Sequence, residues 1–202
     1  MRKPLLNIGF KSVVSSLIRR IKHFILNVRC ICKQKPIYSV ESMPQSLENE
    51  VSFSLNALVN SFNEKFTLLA EAKGLIYAGI YNGGNITFKG NYERIVEIID
   101  KLLSNAIKST SNGFVILNTK YANGKLVVCV ADSRIGMSEA QIQRLNLSAM
   151  KFGNTELSEH ISRDFTDTLS IIYMLKGSIK VFSDAGKGCK QIVHIPLQIM
   201  QE

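Results

Sequence analysis

The stretch Ile95-Val-Glu-Ile-Ile-Asp-Lys-Leu-Leu-Ser-Asn-Ala-Ile-Lys-Ser-Thr110 decides how the chain is read. Its apolar residues Ile95, Ile98, Ile99, Leu102, Leu103, Ala106 and Ile107 recur three and four apart, so one face of a helix is built to lie on a core. Asn105 and Lys108 stand on the other face, three apart and therefore neighbours on a helical surface. A carboxamide oxygen is a hard neutral ligand acceptable to Mg2+, and a lysine beside it is a point charge for a phosphate oxygen. The pair is a candidate contact for a phosphate and its metal; on an ordinary amphipathic helix the same residues would simply face water.

Helices and strand pairs flank that helix on both sides. Upstream, Ser54 to Lys73 predicts a helix with Leu55, Leu58, Val59, Phe62, Phe66 and Leu69 on one face and Gly74 as its stop. Leu75 to Tyr81 reads as a strand, Asn82-Gly-Gly-Asn85 as a turn and Ile86 to Lys89 as the hairpin partner. Downstream, Phe114 to Thr119 and Lys125 to Ala131 are joined across Asn123-Gly124, a strong hairpin signal. Ser138 to Leu145 predicts a short helix capped by Ser138, and residues 146 to 164 a polar loop. Thr166 to Lys176 is helical, Gly177 ends it, and Ser178 to Phe182 pairs with Lys190 to Ile195. Helices interspersed with hairpins predict an α+β fold, a two-layer sandwich with helices on one face of a mixed, mostly antiparallel sheet.

With 202 residues, 46% hydrophobic and 20% charged, the chain has ordinary globular composition and one core of fair size. Its formal net charge of +9 is concentrated before Glu41, the first acidic residue. Residues 1–35 form a basic extension in which Phe10, Val14, Leu17, Ile21, Phe24 and Val28 alternate four and three apart, predicting an amphipathic helix. Arg19, Arg20 and Lys22 break its apolar run well short of the ~20 residues that span a bilayer, and no cleavage site for a signal peptide follows. Such a helix can pair with itself in a homodimer, lie on an anionic membrane surface or dock on the domain, and the sequence leaves the three open. Residues 36–53, with Pro36 and Pro44, read as a linker, and 54–202 as the main domain. Cys30, Cys32, Cys129 and Cys189 lack a zinc spacing, and reduced thiols in a cytoplasmic setting are expected.

From about residue 54 to 197 the chain resembles the catalytic ATP-binding domain of bacterial sensor histidine kinases, the fold shared with gyrase, mismatch-repair ATPases and certain chaperones. Leu69-Ala-Glu-Ala-Lys-Gly-Leu75 looks like the lead-in to that family's first strand, and Gly90-Asn-Tyr-Glu-Arg-Ile95 like the entry to its N-box helix. Leu102 to Thr110 is similar to the N-box, and Val130-Ala-Asp-Ser-Arg-Ile-Gly-Met137 to the first glycine box. Lys176-Gly-Ser-Ile-Lys-Val181, Gly186-Lys-Gly-Cys189 and Ile195-Pro-Leu197 are close to the closing strands. The resemblance implies ATP with Mg2+ as cofactors, Asn105 as the metal ligand and Lys108 as a phosphate contact. It also implies Asp132 as the acceptor for the adenine amino group and Gly136 as the point of backbone approach to the nucleotide.

Departures from the family pattern shape the functional expectation. Lys101 shares the Asn105 face, where a cation repels Mg2+ or touches a phosphate itself and lessens dependence on the metal. Arg134 replaces the first glycine of the Asp-x-Gly-x-Gly box. The second glycine box has no counterpart at Ser162-Arg-Asp-Phe165, so the backbone amides that would cradle phosphates are not supplied. The phosphoacceptor motif is missing, and His23, His160 and His194 are not candidates. No residue is assigned a catalytic role. The expected function is a degenerate histidine-kinase-like protein of two-component signalling, binding ATP weakly or acting as a pseudokinase on a histidine-containing kinase or a response regulator. A nucleotide-independent interaction module and an anti-sigma-like regulator are the alternatives, and no nucleic-acid partner is expected.

Overall fold

The computed structural model describes residues 50–84, 86–150 (side chains to residue 145) and 163–200, all within the compact unit Ser39–Glu202. The helix expected over residues 1–35 and most of the linker lie outside them. The elements in order are β1 (Glu50–Ser54), α1 (Leu55–Glu71), β2 (Ile76–Tyr81), β3 (Thr87–Asn91), α2 (Tyr92–Ser109), β4 (Phe114–Ala122) and β5 (Lys125–Asp132). They continue with α3 (Glu139–Met150), α4 (Arg163–Met174), β6 (Ser178–Asp184), β7 (Gly188–Pro196) and β8 (Gln198–Ile199). Five strands form one sheet in the order β2-β4-β5-β7-β6, antiparallel except for β2 beside β4, and β1-β3-β8 form a small antiparallel sheet. Helices α1, α2 and α4 share one face of the larger sheet: α1 covers β2, α2 crosses β4 and β5, and α4 lies over β6 against α2. The expected α+β sandwich is the observed fold.

α2 sits where its stripe directs it. Ile95, Ile98, Ile99, Leu102, Leu103, Ala106 and Ile107 are all buried. Asn91 caps its first turn by accepting a hydrogen bond at Oδ1 from the amide of Arg94 at 3.0 Å. At the other end the Lys73 ammonium donates to the carbonyls of Ile107, at 2.8 Å, and Lys108, at 3.2 Å. A cation from the end of α1 thus satisfies last-turn carbonyls that have no partner within the helix, at the negative end of its dipole.

Several local expectations change. The segments on either side of residues 82–85 do not pair with each other: β2 runs parallel to β4, register Ile76↔Phe114, while β3 pairs with β1, register Phe53↔Phe88. The Asn82 amide still donates to the Thr119 carbonyl at 3.0 Å, so the chain is carried past the turn along β4 before it can fold back. The β2–α2–β4 crossover prevails over the local turn signal because it buries α2. β1 also occupies residues assigned to the linker, held by Phe53 against Phe88 and Tyr92. In α1 the buried residue after Phe66 is Ala70, and Leu69 is 47% exposed, because a 3.6-residue period brings position 70 back to the sheet. α3 extends to Met150 and α4 starts at Arg163, so the helical residues 146–150 and 163–164 shorten the expected loop from both ends.

α4 ends differently from its reading as well. The left-handed residue is Lys176 (φ 53°), and the Gly177 amide reaches back to the Ile172 carbonyl at 2.8 Å. Gly177 is needed for space: a Cβ there would lie 2.7 Å from the His194 carbonyl oxygen and 3.0 Å from that of Ile172. Backbone on both sides must move to admit a methyl group, so Gly177→Ala is expected to destabilise the domain by about 1–3 kcal/mol in urea unfolding.

His194, on the sheet face away from the helices, has its pKa lowered by burial and then by the charges of Lys125, Lys180 and Lys120. The folded state therefore takes up its proton at lower pH than the unfolded chain. Stability falls as pH drops below the ordinary histidine value of about 6.5 and stops changing, for this group, below the folded pKa. His194→Gln is expected to shrink the fall in melting temperature between about pH 7.5 and 5.5.

Candidate functional site

Two segments bring the sequence-predicted residues to one end of the sandwich. The last turn of α2 carries Asn105 and Lys108, both exposed, and runs through residues 110–113 into β4. β5, antiparallel to β4, ends there with Asp132 opposite Val115. Ser133 fastens the two segments: its Oγ accepts from the Phe114 amide at 2.9 Å and donates to the Asn112 carbonyl at 3.0 Å. Asn105 Oδ1 accepts a hydrogen bond from Ser109 Oγ at 3.3 Å, and the residue is exposed. Lys101 is half-buried and leans on Glu97 at 4.0 Å, so its charge is partly met by an acid one turn earlier. Among the described residues no group of three or more His, Cys, Asp or Glu side chains is placed to hold a metal ion. A metal at Asn105 would arrive with a phosphate rather than bind alone.

At the other position expected from the sequence the carboxylate is already engaged. Asp132 is 1% exposed, and Arg134 wraps back on it. The Arg134 amide and Nε donate to Oδ1 at 3.1 and 2.8 Å, and Nη2 donates to Oδ2 at 2.7 Å. An aspartate accepting from the amide two residues on is an Asx turn, and this turn brings the side chain of the second residue over the carboxylate. Burial by itself would lower the guanidinium pKa; the hydrogen bonds and charge of Asp132, with a contribution from Cys189, outweigh it and leave it raised. The pair is a fork-to-carboxylate contact in which both oxygens are occupied. In the sequence Arg134 stands only as a replacement for the first glycine of the box. The two-residue spacing after a strand end was the signal that it could reach the acid.

Gly136 is required by its own chain. Its φ is +80°, and a Cβ would lie 2.0 Å from the carbonyl oxygen of Asp184 on β6. Around it the Gly186 amide donates to the Ile135 carbonyl at 2.6 Å and the Met137 amide to Ser183 Oγ at 2.9 Å. These contacts pin the segment after β5 to the β6–β7 turn. Cys189, the register partner of Asp132 on β7, is buried, and burial pushes its thiol up to about 11, so it is neutral at physiological pH and supplies no nucleophile. Where the sequence comparison placed the second glycine box, α4 begins with Arg163 and Asp164. An acid in the first turn occupies the positive end of the helix dipole, where a phosphate would otherwise be favoured.

The residues fit a nucleotide unevenly. Asn105 and Lys108 are exposed, where phosphates and Mg2+ would reach them, whereas an adenine amino group brought to Asp132 would meet a carboxylate already filled by a cation. Asp132→Asn removes the anion and leaves a guanidinium only 12% exposed without its counter-charge, for an expected loss of about 3 kcal/mol in urea unfolding. Asp132→Asn combined with Arg134→Met is expected to cost less than Asp132→Asn alone, a sign that the charges act as a pair.

Comparison with known proteins follows the same outline. Residues 90–199 match the family described as histidine kinase-, DNA gyrase B- and HSP90-like ATPases. Sensor histidine kinase RcsC of Escherichia coli (strain K12) is 28% identical over 153 residues, 72% of this chain and 16% of the relative. Autoinducer 2 sensor kinase/phosphatase LuxQ of Vibrio cholerae is 27% identical over 160 residues, 74% of this chain and 18% of the relative. The chain thus spans less than a fifth of the length of these two relatives. Among solved structures, full-length ShkA in complex with AMPPNP superposes with a TM-score of 0.62 at 19% identity, covering 80% of this chain and 33% of that one. The catalytic domain of histidine kinase ThkA gives 0.59 at 18% identity, covering 74% and 96%. These structural likenesses concern the fold. Among the described residues no helix is long and apolar enough to cross a membrane.

Proposed function

Because the chain belongs to the histidine kinase-, DNA gyrase B- and HSP90-like ATPases, we propose that it is a degenerate member working in two-component signalling. In this reading it binds ATP weakly and acts on a sensor kinase or its response regulator rather than phosphorylating a histidine of its own. The observation that carries the reading is the Asp132–Arg134 pair, with Nη2 at 2.7 Å from Oδ2 in a site where a family member offers an open carboxylate. Weak binding follows from competition. An adenine amino group gains one hydrogen bond at Asp132 only by displacing a bidentate, charge-assisted contact already present in the chain.

The phosphate end supports a residual role. Asn105 would hold Mg2+ bound with the phosphates and Lys108 would meet a phosphate oxygen, the metal supplying charge neutralisation. Phosphoryl transfer depends almost entirely on positioning and charge, and the start of α4 at Arg163-Asp164 provides neither a glycine loop nor an uncompensated helix N-terminus for it. A partner kinase or response regulator is inferred from the sensor kinases the chain is similar to. The basic helix expected over residues 1–35 adds homodimerisation or contact with an anionic membrane surface as roles for the extension.

Titration calorimetry with ATP and Mg2+ is expected to give a Kd of about 1 mM or weaker. Radiolabelled ATP is expected to leave no phosphate on the chain, while adding the chain to an active sensor kinase changes the phosphorylation of that kinase's response regulator. Micromolar ATP binding, together with phosphorylation of a histidine substrate at the roughly 1–100 s⁻¹ of ordinary kinases, would falsify the degenerate reading.

A further inference from the structure

The larger sheet has a second face with a chemistry of its own. Leu126, Val128 and Val130 on β5, and Val193 and Ile195 on β7, belong to the helix-covered core. Alternation therefore turns Lys125, Val127 and Cys129, and Ile192, His194 and Pro196, to the other side. By the same rule, counted from Leu117 and Val181, β4 adds Lys120 to that side and β6 adds Lys180. Helices α1, α2 and α4 lie on the opposite face, and α3 sends Leu145 to the same core.

The register gathers the cations of this outer face into a band. Lys120 stands opposite Val127, which stands opposite His194. Lys125, opposite Pro196, is one same-face position nearer the Asn123-Gly124 turn, and Lys180, opposite Ile192, is one position the other way. The band crosses β4, β5, β7 and β6, about 14 Å at the usual strand spacing. Its charges act together: after burial, it is Lys125, Lys180 and Lys120 that hold the His194 pKa down. Burial raises the Cys129 thiol in the next row, and Lys190 and Lys120 oppose that rise. Among the described strand residues on this face the one acid is Asp184, at the far end of β6 and ion-paired with Lys187. Like charges held this close raise the free energy of the ligand-free protein, and an anionic partner relieves it.

The kind of anion follows from what the band lacks and what lies within it. It is wider than one phosphate group, so its partner carries several negative charges. The band holds no arginine fork and no Phe, Tyr or Trp, the groups that grip and stack single-stranded nucleic acid. None of the large exposed apolar side chains stands in it to insert into a bilayer. Half-buried Val127 and exposed Pro196 instead lie among the exposed lysines Lys120 and Lys125, an apolar middle with a charged rim, as in protein interfaces. A helix is also the element that covers a sheet face in layered α/β domains. We propose that the outer face around Val127 and His194 is a docking surface for an acidic amphipathic helix of a protein partner. Its carboxylates meet Lys120, Lys125 and Lys180, and its apolar stripe lies over Val127. Lys125 is at the opposite end of β5 from Asp132, roughly 24 Å along the strand, so the surface goes beyond the proposed function and does not depend on nucleotide.

The test is fluorescence anisotropy of labelled synthetic peptides titrated with the full chain at low salt. One peptide of about 18 residues is patterned as an amphipathic helix of Leu and Glu, and a second has the same composition with the apolar stripe scrambled. The patterned peptide is expected to bind at least about tenfold more tightly than the scrambled one. Lys120→Glu with Lys125→Glu is expected to weaken it by at least about tenfold, through two lost attractions and two new repulsions. Lys89→Glu with Lys187→Glu changes the net charge equally but away from the band, and is expected to shift binding by less than about threefold. Lys120→Gln with Lys125→Gln, which adds no anion, is expected to lose part of the affinity and keeps the test decisive if the reversed variant unfolds in a urea titration. Equal binding of the two peptides, equal loss in the band and control variants, or no binding of the patterned peptide overturns the docking surface. Tighter binding to phosphatidylserine vesicles or to a single-stranded oligonucleotide, abolished by the band variant, gives the face to lipid or nucleic acid and overturns the protein partner.

Discussion

Burial of the apolar face of α2 against β4 and β5 is the contact on which the rest of the domain depends. Each of its larger apolar side chains removed from water contributes roughly 1.5–3 kcal/mol, more than any cap or surface ion pair in the structure offers. The α2 crossover also makes β2 and β4 parallel neighbours, since a helix laid on the sheet between two strands returns the chain in the same direction. With the apolar face committed, Asn105 and Lys108 can only look outward. The loop from α2 to β4, tied to Ser133, then sets Asp132 at the same end of the sandwich.

Electrostatics at that end follow from how deeply Asp132 is buried. An ionised carboxylate at 1% exposure needs a partner, and in this chain the partner is covalently close. Arg134 neutralises it through an Asx turn that also aligns the guanidinium fork. The fold keeps a buried charge satisfied without ligand, so a ligand gains less by satisfying it. Elsewhere the same segment is tightly held, with Gly136 against the backbone of Asp184 and Met137 bonded to Ser183. Rigidity here belongs to the protein scaffold and does not wait for a nucleotide.

The chain covers 16% of RcsC and 18% of LuxQ. Residues 90–199 carry the match to the histidine kinase-, DNA gyrase B- and HSP90-like ATPases. At one end of the sandwich Asn105 and Lys108 are exposed, while Asp132 is buried and paired with Arg134.

By itself the sequence determined the elements whose pattern is dense and periodic. The α2 stripe, the Asn123-Gly124 hairpin with both residues at positive φ, and the pairing of β6 with β7 could be read directly, because each depends on neighbours within a few residues. The outward placement of Asn105 and Lys108 on α2 could be read too, from the same periodicity. Partner choice among distant segments was decided only by the tertiary structure. β2 left its apparent hairpin for β4, and β1 emerged from an apparent linker. Each outcome is set by a surface many residues away in the sequence. The state of Asp132 was decided in the same way: its need for a partner comes from burial, and burial is a property of the packed sheet that spacing alone does not carry.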